Sequence, residues 1–427
     1  MNESPSTRIR WLLIGWIFVL SAVGYLDRAN IGIAGVSIMR DFHLDNVHFG
    51  WVQTSFAIAY AAFQAPAGRL ADRLGPRIIL ALAVVWWGLF TSLITIVPVI
   101  ATALFVIMAI RFGLGVGEAV MYPAANKIVA AWIPSRERGL ANGLIFAGVG
   151  CGSAVAPLFI NWIITHWGWH ASFWISSLIG LIAGVVWYLI GRDTPSAHPW
   201  VNSAESSLIE RGLPAPEPSS KPRLAWSEIF SNKNLMVVTM SYFSYGYTAF
   251  IFFTWFFIYL NKVRGLDSHR SAVLTTLPPF CMALGSSLGG WLSDALSKAY
   301  GKRVGRCYLA SAAIGLCAIL LALGTRVADT TSAVFYLAAG AGALYISQSS
   351  FWSISADIGK NSAGSVSGVM NMGAQSASAI TATLTPWIGD HFGWNASFLV
   401  AASLCACGAV AWLFVNPIES HSEELRS

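Results

Sequence analysis

The chain has 427 residues, of which 56% are hydrophobic and only 11% are charged. A soluble protein of this size carries about 25% charged residues, so the composition excludes a soluble enzyme or binding domain. The formal net charge of +6 would suit nucleic-acid binding in a soluble protein, but here we expect no nucleic-acid partner. We predict an all-α integral membrane protein that crosses the lipid bilayer many times.

Apolar runs separated by short polar turns predict twelve transmembrane helices. They fall into two groups of six, separated by a segment rich in Pro, Ser and charged residues. We therefore predict an N-terminal six-helix bundle (1–190), a cytoplasmic linker (191–233) and a C-terminal six-helix bundle (234–427). The predicted spans are 11–39, 48–71, 78–98, 101–131, 139–165, 169–190, 234–262, 270–296, 304–325, 332–356, 363–388 and 394–416.

The first predicted span carries two charges at its centre. Residues 11–25 and 29–38 are uncharged, and Asp27 and Arg28 lie between them. A helix over 11–39 would be roughly 40 Å long at about 1.5 Å per residue, enough to cross a bilayer. The two charged side chains would then point about 100° apart, so they cannot face and neutralise each other. Three interpretations stay open: salt bridges to other helices, a helix that begins after Arg28, or charges that face a polar cavity.

The basic residues indicate how the chain lies in the membrane. If successive loops alternate between the two sides, nineteen of the 26 Lys and Arg residues fall on the side that holds both termini, and five fall on the other. Loops rich in Lys and Arg stay in the cytoplasm. We therefore expect both termini to be cytoplasmic, in a multi-pass protein of the bacterial inner (plasma) membrane.

Two motifs of the first half recur in the second half. Residues 168–173 are echoed by 393–398, and the turn after the second span is similar to the turn after the eighth. We interpret the repeats as duplication of one six-span unit, an arrangement found in major facilitator transporters, whose site lies between the halves. We interpret the turn motif as a gating latch formed by Gly68, Asp72, Arg73 and Gly75, with Asp294 in the second half.

Four charged residues are predicted inside the membrane, and their charges sum to zero. They are Asp27, Arg28, Arg111 and Glu118, all in the first half. Arg111 and Glu118 are seven residues apart, so a helix places them on one face, about 10 Å apart. A structural ion network between spans one and four is the simpler alternative. We favour a function, because a structural device would be expected in both halves of a duplicated protein.

An arginine in a cavity offers a planar fork to a carboxylate. When a substrate anion takes that arginine from a neighbouring acid, the acid picks up a proton, which is the chemistry of anion–proton symport. Other polar side chains in the spans are more commonly helix contacts than ligands, but together they predict a polar pocket. They are Tyr25, Tyr60, Gln64, Asn126, Ser349, Trp352, Asn371 and Gln375.

The cysteines and histidines favour neither a metal site nor an enzyme. All six cysteines lie in or beside apolar segments, without a CxxC spacing, and all eight histidines lie in loops or at span ends. No nucleophile–base pair can be placed within the bilayer. We therefore expect no enzyme activity, no metal and no cofactor, with the proton as the coupling ion.

Three stretches resemble the anion:cation symporter family of the major facilitators. They are Tyr25-Leu-Asp27-Arg28-Ala-Asn30 in the first span, Arg111-Phe-Gly-Leu-Gly-Val-Gly-Glu118 in the fourth, and Thr254-Trp255-Phe-Phe-Ile-Tyr259-Leu in the seventh. The resemblance covers essentially the whole chain and is greatest to the bacterial D-galactonate and other sugar-acid proton symporters.

This resemblance implies roles for the candidate residues. Asp27 and Glu118 would couple protons, and Arg111 would partner these acids. The substrate carboxylate would bind Arg28 together with Tyr25 and Tyr60, and substrate hydroxyls would contact residues of the second half, namely Asn371, Trp352 and Ser349. The implied function is the import of a small organic anion, such as galactonate, glucarate or hexuronate, by proton symport with alternating access. A monomer is expected.

One position departs from the family pattern. Sugar-acid members often have a substrate-contacting Gln in the fifth span, where this chain has Val149. An aromatic or dicarboxylic acid such as phthalate or tartrate is therefore an alternative substrate. An anion antiporter or an uncoupled facilitator is an alternative mechanism, and Ala156-Pro157 only partly matches the Gly-Pro motif of antiporters.

Overall fold

The computed structural model describes residues 5–213 and 224–417, and these residues are mostly helical, with no β-strand among them. The middle of the predicted linker, 214–223, lies outside the described residues, as do 1–4 and 418–427. Backbone groups in a bilayer must be satisfied within the chain, and helices built from apolar runs achieve this. The all-α membrane fold predicted from the sequence is confirmed.

The first half of the chain (9–190) contains six helices. The first predicted span is one continuous helix through Asp27 and Arg28, which excludes a helix start after Arg28. The fourth predicted span is divided into two helices by a short turn at residues 119–120. The bounds are α1 Ile9–Asp41, α2 Asn46–Leu74, α3 Pro76–Leu93, α4 Ala103–Glu118, α5 Met121–Trp132 and α6 Arg138–Ile190.

Helix α6 includes both the fifth and the sixth predicted spans. Its 53 residues are interrupted at Gly168, whose φ of 79° lies in the region that favours glycine. The repeated motif has the same feature, since Gly393 has a φ of 86° at the corresponding turn. The glycine in each copy therefore marks the turn between two spans.

The remaining helices form the linker and the second half (233–412). Asn232 and Asp329 accept hydrogen bonds from the backbone N–H groups of Leu235 and Ser332, so capping residues begin two of these helices. The bounds are α7 Ser203–Gly212, α8 Trp226–Ser231, α9 Lys233–Thr254, α10 Phe256–Ile258, α11 Ser268–Thr275, α12 Leu277–Tyr300, α13 Leu309–Arg326, α14 Thr330–Ile346, α15 Gln348–Gly359, α16 Ala363–Phe392 and α17 Trp394–Trp412.

Eight helical segments of the described chain are long and apolar enough to cross a membrane. Two of them, 138–190 and 330–392, are 53 and 63 residues long. At about 1.5 Å per residue, each is more than twice as long as a bilayer core of about 30 Å. Large apolar side chains such as Phe105, Leu158 and Met240 are exposed on the outer faces, as expected where lipid surrounds the helices.

The two halves pack together through α2 against α16 and α6 against α12. Small residues permit this contact: a Cβ atom on Gly290 would lie 2.5 Å from the carbonyl oxygen of Gly139. Gly68 on α2 likewise lies directly against the backbone of Gly364 on α16. These contacts are at the end of the molecule that carries the linker, which we call the linker side.

Part of the linker is docked against the start of α1. The buried carboxylate of Glu205 on α7 accepts hydrogen bonds from the backbone N–H groups of Ile9 and Arg10, at 2.8 and 3.1 Å, and from the Thr7 hydroxyl at 2.5 Å. The Arg10 guanidinium bonds Glu205 at 3.2 Å and Glu137, just before α6, at 3.0 Å. The linker helix α7 therefore ties together the beginnings of two membrane helices.

Candidate functional site

The two adjacent charges of α1 find partners on two different helices. The Thr91 hydroxyl on α3 donates a hydrogen bond to Asp27 Oδ2 at 2.7 Å. Arg28 Nε donates to Glu118 Oε2, at the end of α4, at 2.6 Å. This follows from helix geometry, because consecutive side chains point about 100° apart and meet different neighbours.

Aromatic rings surround the Arg28 guanidinium. Its central carbon lies 4.1 Å from the centroid of the Tyr60 ring, 4.9 Å from that of Tyr25 and 5.5 Å from that of Phe56. The Glu118 side chain is only 2% exposed and that of Arg28 15% exposed. In such a desolvated place a cation–π contact contributes about 2 kcal/mol, so the rings help to hold the cation in the membrane.

Arg111 interacts electrostatically with Glu118 and Asp27, but its hydrogen bond goes to a neutral side chain. Its Nη2 donates to Gln53 Oε1 at 3.3 Å, and its guanidinium lies 4.6 Å from the Phe56 ring centroid. Within the described residues it forms no ion pair with an acid. Arg28 and Arg111 thus share the Phe56 ring, while only Arg28 is paired with a carboxylate.

Several polar atoms of this cluster are buried without a hydrogen-bond partner in the described part of the chain. They include Asp27 Oδ1, Glu118 Oε1, the Tyr60 hydroxyl and Arg111 Nε. Each unmade bond costs about 1–3 kcal/mol, and more for charged groups. Such groups in a membrane interior are characteristic of ion and substrate pathways.

A cavity lies between the two halves next to this cluster. Tyr25, whose ring contacts Arg28, belongs to its wall together with Tyr122, Phe146 and Val149 of the first half. Neutral residues line it from the second half. These are Tyr242, Tyr245, Gly246, Ala249, Phe250, Phe253, Tyr345, Gln348, Asn371, Ala374 and Gln375.

On the linker side, an acid from each half caps a helix of the other half. Asp72 accepts hydrogen bonds from the N–H groups of Gly364 and Ser365, at 3.0 and 2.8 Å, where α16 begins. Asp294 accepts from the N–H groups of Gly139 and Leu140, at 2.8 and 2.6 Å, where α6 begins. Helix N-termini carry partial positive charge, so both contacts hold the halves together. We call them the Asp72 latch and the Asp294 latch.

This architecture matches known proteins. Residues 17–382 match the family described as Major Facilitator Superfamily. The chain belongs to this superfamily. The prediction of a major facilitator fold is therefore confirmed.

The relatives of this facilitator are named as transporters. It is 29% identical over 417 residues to the probable sulfoacetate transporter SauU of Cupriavidus necator, covering 96% of this chain and 95% of that protein. It is 32% identical over 302 residues to the probable galactarate/D-glucarate transporter GudP of Bacillus subtilis, covering 68% and 66%.

A solved structure shares the fold. The proton:xylose symporter XylE, bound to 6-bromo-6-deoxy-D-glucose, matches with a TM-score of 0.73 at 15% identity, over 95% of this chain and 96% of that chain. Together with the family match, the relatives confirm the predicted resemblance to organic-anion transporters. They also agree with the prediction of a membrane transporter rather than an enzyme.

The polar residues predicted to form the substrate pocket do not all line the cavity. Gln375 and Asn371 line the cavity, and Asn371 Nδ2 also donates to Gln64 Oε1 of the first half at 2.9 Å. Asn126 Nδ2 donates to the Ser355 hydroxyl at 3.0 Å, another contact between the halves. Gln64 and Asn126 thus join the two halves, and their predicted role in substrate binding stays a prediction.

Two further predicted residues lie on α15. The Trp352 indole N–H donates to the Tyr242 hydroxyl oxygen at 3.0 Å, and Gln348 Nε2 donates to the same atom at 2.9 Å. The Ser349 hydroxyl is buried without a hydrogen-bond partner in the described chain. Sequence reasoning missed Tyr242 and Gln348, whose only signal was a polar side chain within an apolar span.

The other first-half residues of the predicted gating motif lie near Asp72 in the chain. Gly68 allows α2 to approach α16, and Gly75, with a φ of 84°, forms the turn between α2 and α3. Lys127 Nζ lies 3.6 Å from Asp72 Oδ1. Arg73 is exposed at the end of α2. The structure therefore brings Gly68 and Asp72 to the interface of the halves and leaves Arg73 outside it.

A buried charge cluster on the linker side was missed by sequence reasoning. Asp357 on α15 is paired with Arg138 at 2.5 Å, with Lys302 at 3.0 Å and with Arg306. Arg138 and Arg306 are almost completely buried. Each member stands at the end of a predicted span, where charges are ordinary, so the sequence offered no signal that they meet.

Proposed function

We propose that this transporter imports a small organic anion by proton symport with alternating access. The observation that carries the proposal is the Arg28–Glu118 ion pair, at 2.6 Å inside the membrane region and next to the cavity. Sugar acids such as galactonate, glucarate or hexuronate, or a related carboxylate, are the proposed substrates. The names of the relatives support an organic anion.

Coupling follows from competition for one arginine. A substrate carboxylate that binds Arg28 in bidentate fashion draws the guanidinium away from Glu118. The buried Glu118 carboxylate then lacks its countercharge and becomes neutral by taking a proton. Anion and proton would therefore enter the site together.

Asp27 would provide the second proton-binding group. One of its oxygens accepts a hydrogen bond from Thr91, and the other is buried without a partner among the described residues. A carboxylate that has no ion-pair partner in the membrane gains most from protonation. We propose that Asp27 holds a proton while the site is closed to water.

Alternating access would proceed by release of the two latches. In this structure the Asp72 and Asp294 latches join the two halves on the linker side, which supports a role in closing that side. Opening requires both acids to leave the helix N-termini of the opposite half. With both termini and the linker in the cytoplasm of a bacterial cell, this step would deliver the anion inward, from a monomer in the inner membrane.

The test is uptake of labelled D-galactonate, D-glucuronate, sulfoacetate and phthalate into proteoliposomes under an imposed inward proton gradient. We expect accumulation of at least one anion, and Asp27→Asn and Glu118→Gln should abolish it while gradient-independent exchange survives. Asp390→Asn, which changes an exposed acid at the end of α16, is the matched control. Equal uptake with and without the gradient, unaffected by both variants, would refute symport.

A further inference from the structure

The hydroxyl of Tyr242 has an unusual hydrogen-bond arrangement. This side chain on α9 is 3% exposed and lines the cavity from the second half. Its oxygen accepts two hydrogen bonds, from Gln348 Nε2 at 2.9 Å and from Trp352 Nε1 at 3.0 Å. Both donors come from α15, so two side chains of one helix fix the position of one phenol oxygen.

A phenol that accepts two bonds still has a proton to donate. An indole N–H is a donor only, so the bond from Trp352 cannot run in the opposite direction. With the Gln348 amide oriented so that Nε2 faces the phenol oxygen, the Tyr242 O–H has no acceptor bonded to it within the described residues. Accepting bonds also polarises the O–H group and strengthens the bond that it donates. A ligand in the cavity can supply an acceptor for the Tyr242 O–H.

Part of the first-half lining of the cavity is apolar, at Phe146 and Val149. Phe146 stacks on Tyr122 with ring centroids 4.9 Å apart and contacts Trp352 at 5.0 Å. Val149 also belongs to this wall. The cavity therefore has a cation beside its first-half lining, a hydrogen-bond donor in its second-half lining, and an apolar surface at Phe146 and Val149. A sugar chain with a hydroxyl on every carbon would leave the hydroxyls that face this apolar surface unpaired.

We propose that Tyr242 is a specificity-determining residue that donates its O–H to an acceptor group at the far end of the transported anion. Gln348 and Trp352 are positioning residues that orient this hydroxyl. The substrate class is a bifunctional organic anion with one acidic group for Arg28, a second acceptor for Tyr242, and few hydroxyls between them. This inference rests on the proposed function, because it assumes that an organic anion binds Arg28.

The experiment measures binding to the purified full chain in detergent by isothermal titration calorimetry. The probes are matched pairs: succinate with butyrate, sulfoacetate with ethanesulfonate, and 4-oxopentanoate with pentanoate. Each pair differs in the distal acceptor, and D-galactonate is added as the polyhydroxylated comparison. We expect the bifunctional member of at least one pair to bind about tenfold or more tightly than its partner and more tightly than D-galactonate.

Variants assign the difference to one hydroxyl. Tyr242→Phe should abolish the preference within that pair and leave the affinity for the monofunctional member unchanged within about twofold. Tyr247→Phe is the matched control, because Tyr247 is a buried tyrosine of the same helix that does not line the cavity. Trp352→Phe should weaken binding of the bifunctional member alone, by about three- to tenfold, whereas a purely structural role would weaken both members.

Three results would overturn the proposal: equal affinity within every pair, binding of none of the probes, or an equal loss for both members in Tyr242→Phe. Binding in detergent needs no proton gradient. Discrimination within a pair, combined with gradient-independent uptake, would therefore refute symport and leave the role of Tyr242 intact.

Discussion

The two sides of the central cavity differ in chemistry. The first half places four charged residues next to the cavity, Asp27, Arg28, Arg111 and Glu118, which we call the charged wall. The second half lines the cavity with neutral residues that include Tyr242, Tyr245 and Gln348, and we call these, with Trp352 bonded to Tyr242, the neutral wall. The latches, in contrast, are shared, since each half supplies one acid and one helix N-terminus. Features that both halves need for closure occur twice, and the features we assign to anion and proton binding occur once.

This contrast separates coupling from selectivity. A change in the charged wall should affect every anion, because every anion needs the cation. A change in the neutral wall should affect only those anions that have a group to bind there. Substitutions in each wall and at the latches test this division, beginning with the largest expected effect.

The largest effect is expected from Arg28→Met. Transport of every anion should fall more than about 100-fold, and the protein should lose about 3–5 kcal/mol of stability, because Glu118 is left as an unpaired buried charge. Uptake and thermal unfolding measure the two effects. The double variant Arg28→Met, Glu118→Gln should regain stability without regaining transport. Recovery of transport in that variant would show that the pair is structural.

Both latches should respond to substitution, since each half supplies one of them. Asp72→Asn and Asp294→Asn each weaken a carboxylate at a helix N-terminus, a contact of about 1 kcal/mol. Each should lower the ratio of the linker-side-closed state to the open state about fivefold. Spin labels at the exposed positions Arg73 and Asn361, in a variant lacking native cysteines, report the distance between the ends of α2 and α16. A response to only one substitution would contradict the symmetry of the latches.

The rings around Arg28 are expected to contribute less to anion binding than the charge of Arg28 does. Tyr60→Leu removes the ring 4.1 Å from the guanidinium and should raise the KM of every transported anion about tenfold. Tyr60→Phe keeps the ring and should change KM by less than about threefold. Initial uptake rates across substrate concentrations provide the comparison. A KM change confined to bifunctional anions would place Tyr60 with the neutral wall instead.

Glu205 lies on neither wall, so Glu205→Gln should leave transport unchanged and affect stability alone. Burial by itself would raise the pKa of Glu205, but hydrogen bonds from Thr7, Ile9 and Arg10 outweigh burial and hold the pKa below its usual value. A depressed pKa contributes stability above the unfolded value of about 4.3, and that stability is lost as the pH falls through the folded value.

The variant should therefore be less stable than the native chain at pH 7, by about 1–3 kcal/mol. The difference should shrink below about pH 4. Thermal unfolding across pH, with the exposed Glu210→Gln as the control, measures it. A constant difference at all pH values would show that the charge of Glu205 is not what stabilises α1.

The sequence predicted those features of the fold that depend on a single helix. Apolar runs predicted long membrane helices, although the structure divides the fourth predicted span and joins the fifth to the sixth. Two adjacent charges in one run predicted that Asp27 and Arg28 need separate partners. The hydrogen-bond partners of the buried charges could not be predicted from the sequence. Thr91 and Gln53 belong to short polar stretches within apolar spans, Thr91-Ser92 and Gln53-Thr54-Ser55. Helical periodicity indicates which face a residue occupies but not which helix lies opposite.

The same limit explains the charge cluster around Asp357. Its members are contributed by three segments that are distant in sequence, and each alone has the appearance of a solvated span end. Tyr242 was missed for another reason. Tyrosine is common in membrane helices, and only the two donors on α15 distinguish this one.

The contact between Glu205 and the start of α1 also has a consequence for biosynthesis. Arg8, the residue before α1, provides no side-chain cap, and the carboxylate that bonds Ile9 N–H lies 196 residues further along the chain. While the ribosome is still translating the first six spans, the leading end of the nascent chain lacks this cap. The first half therefore completes its folding only after the linker has been synthesised, and a chain truncated before residue 205 should insert into the membrane with a frayed leading helix.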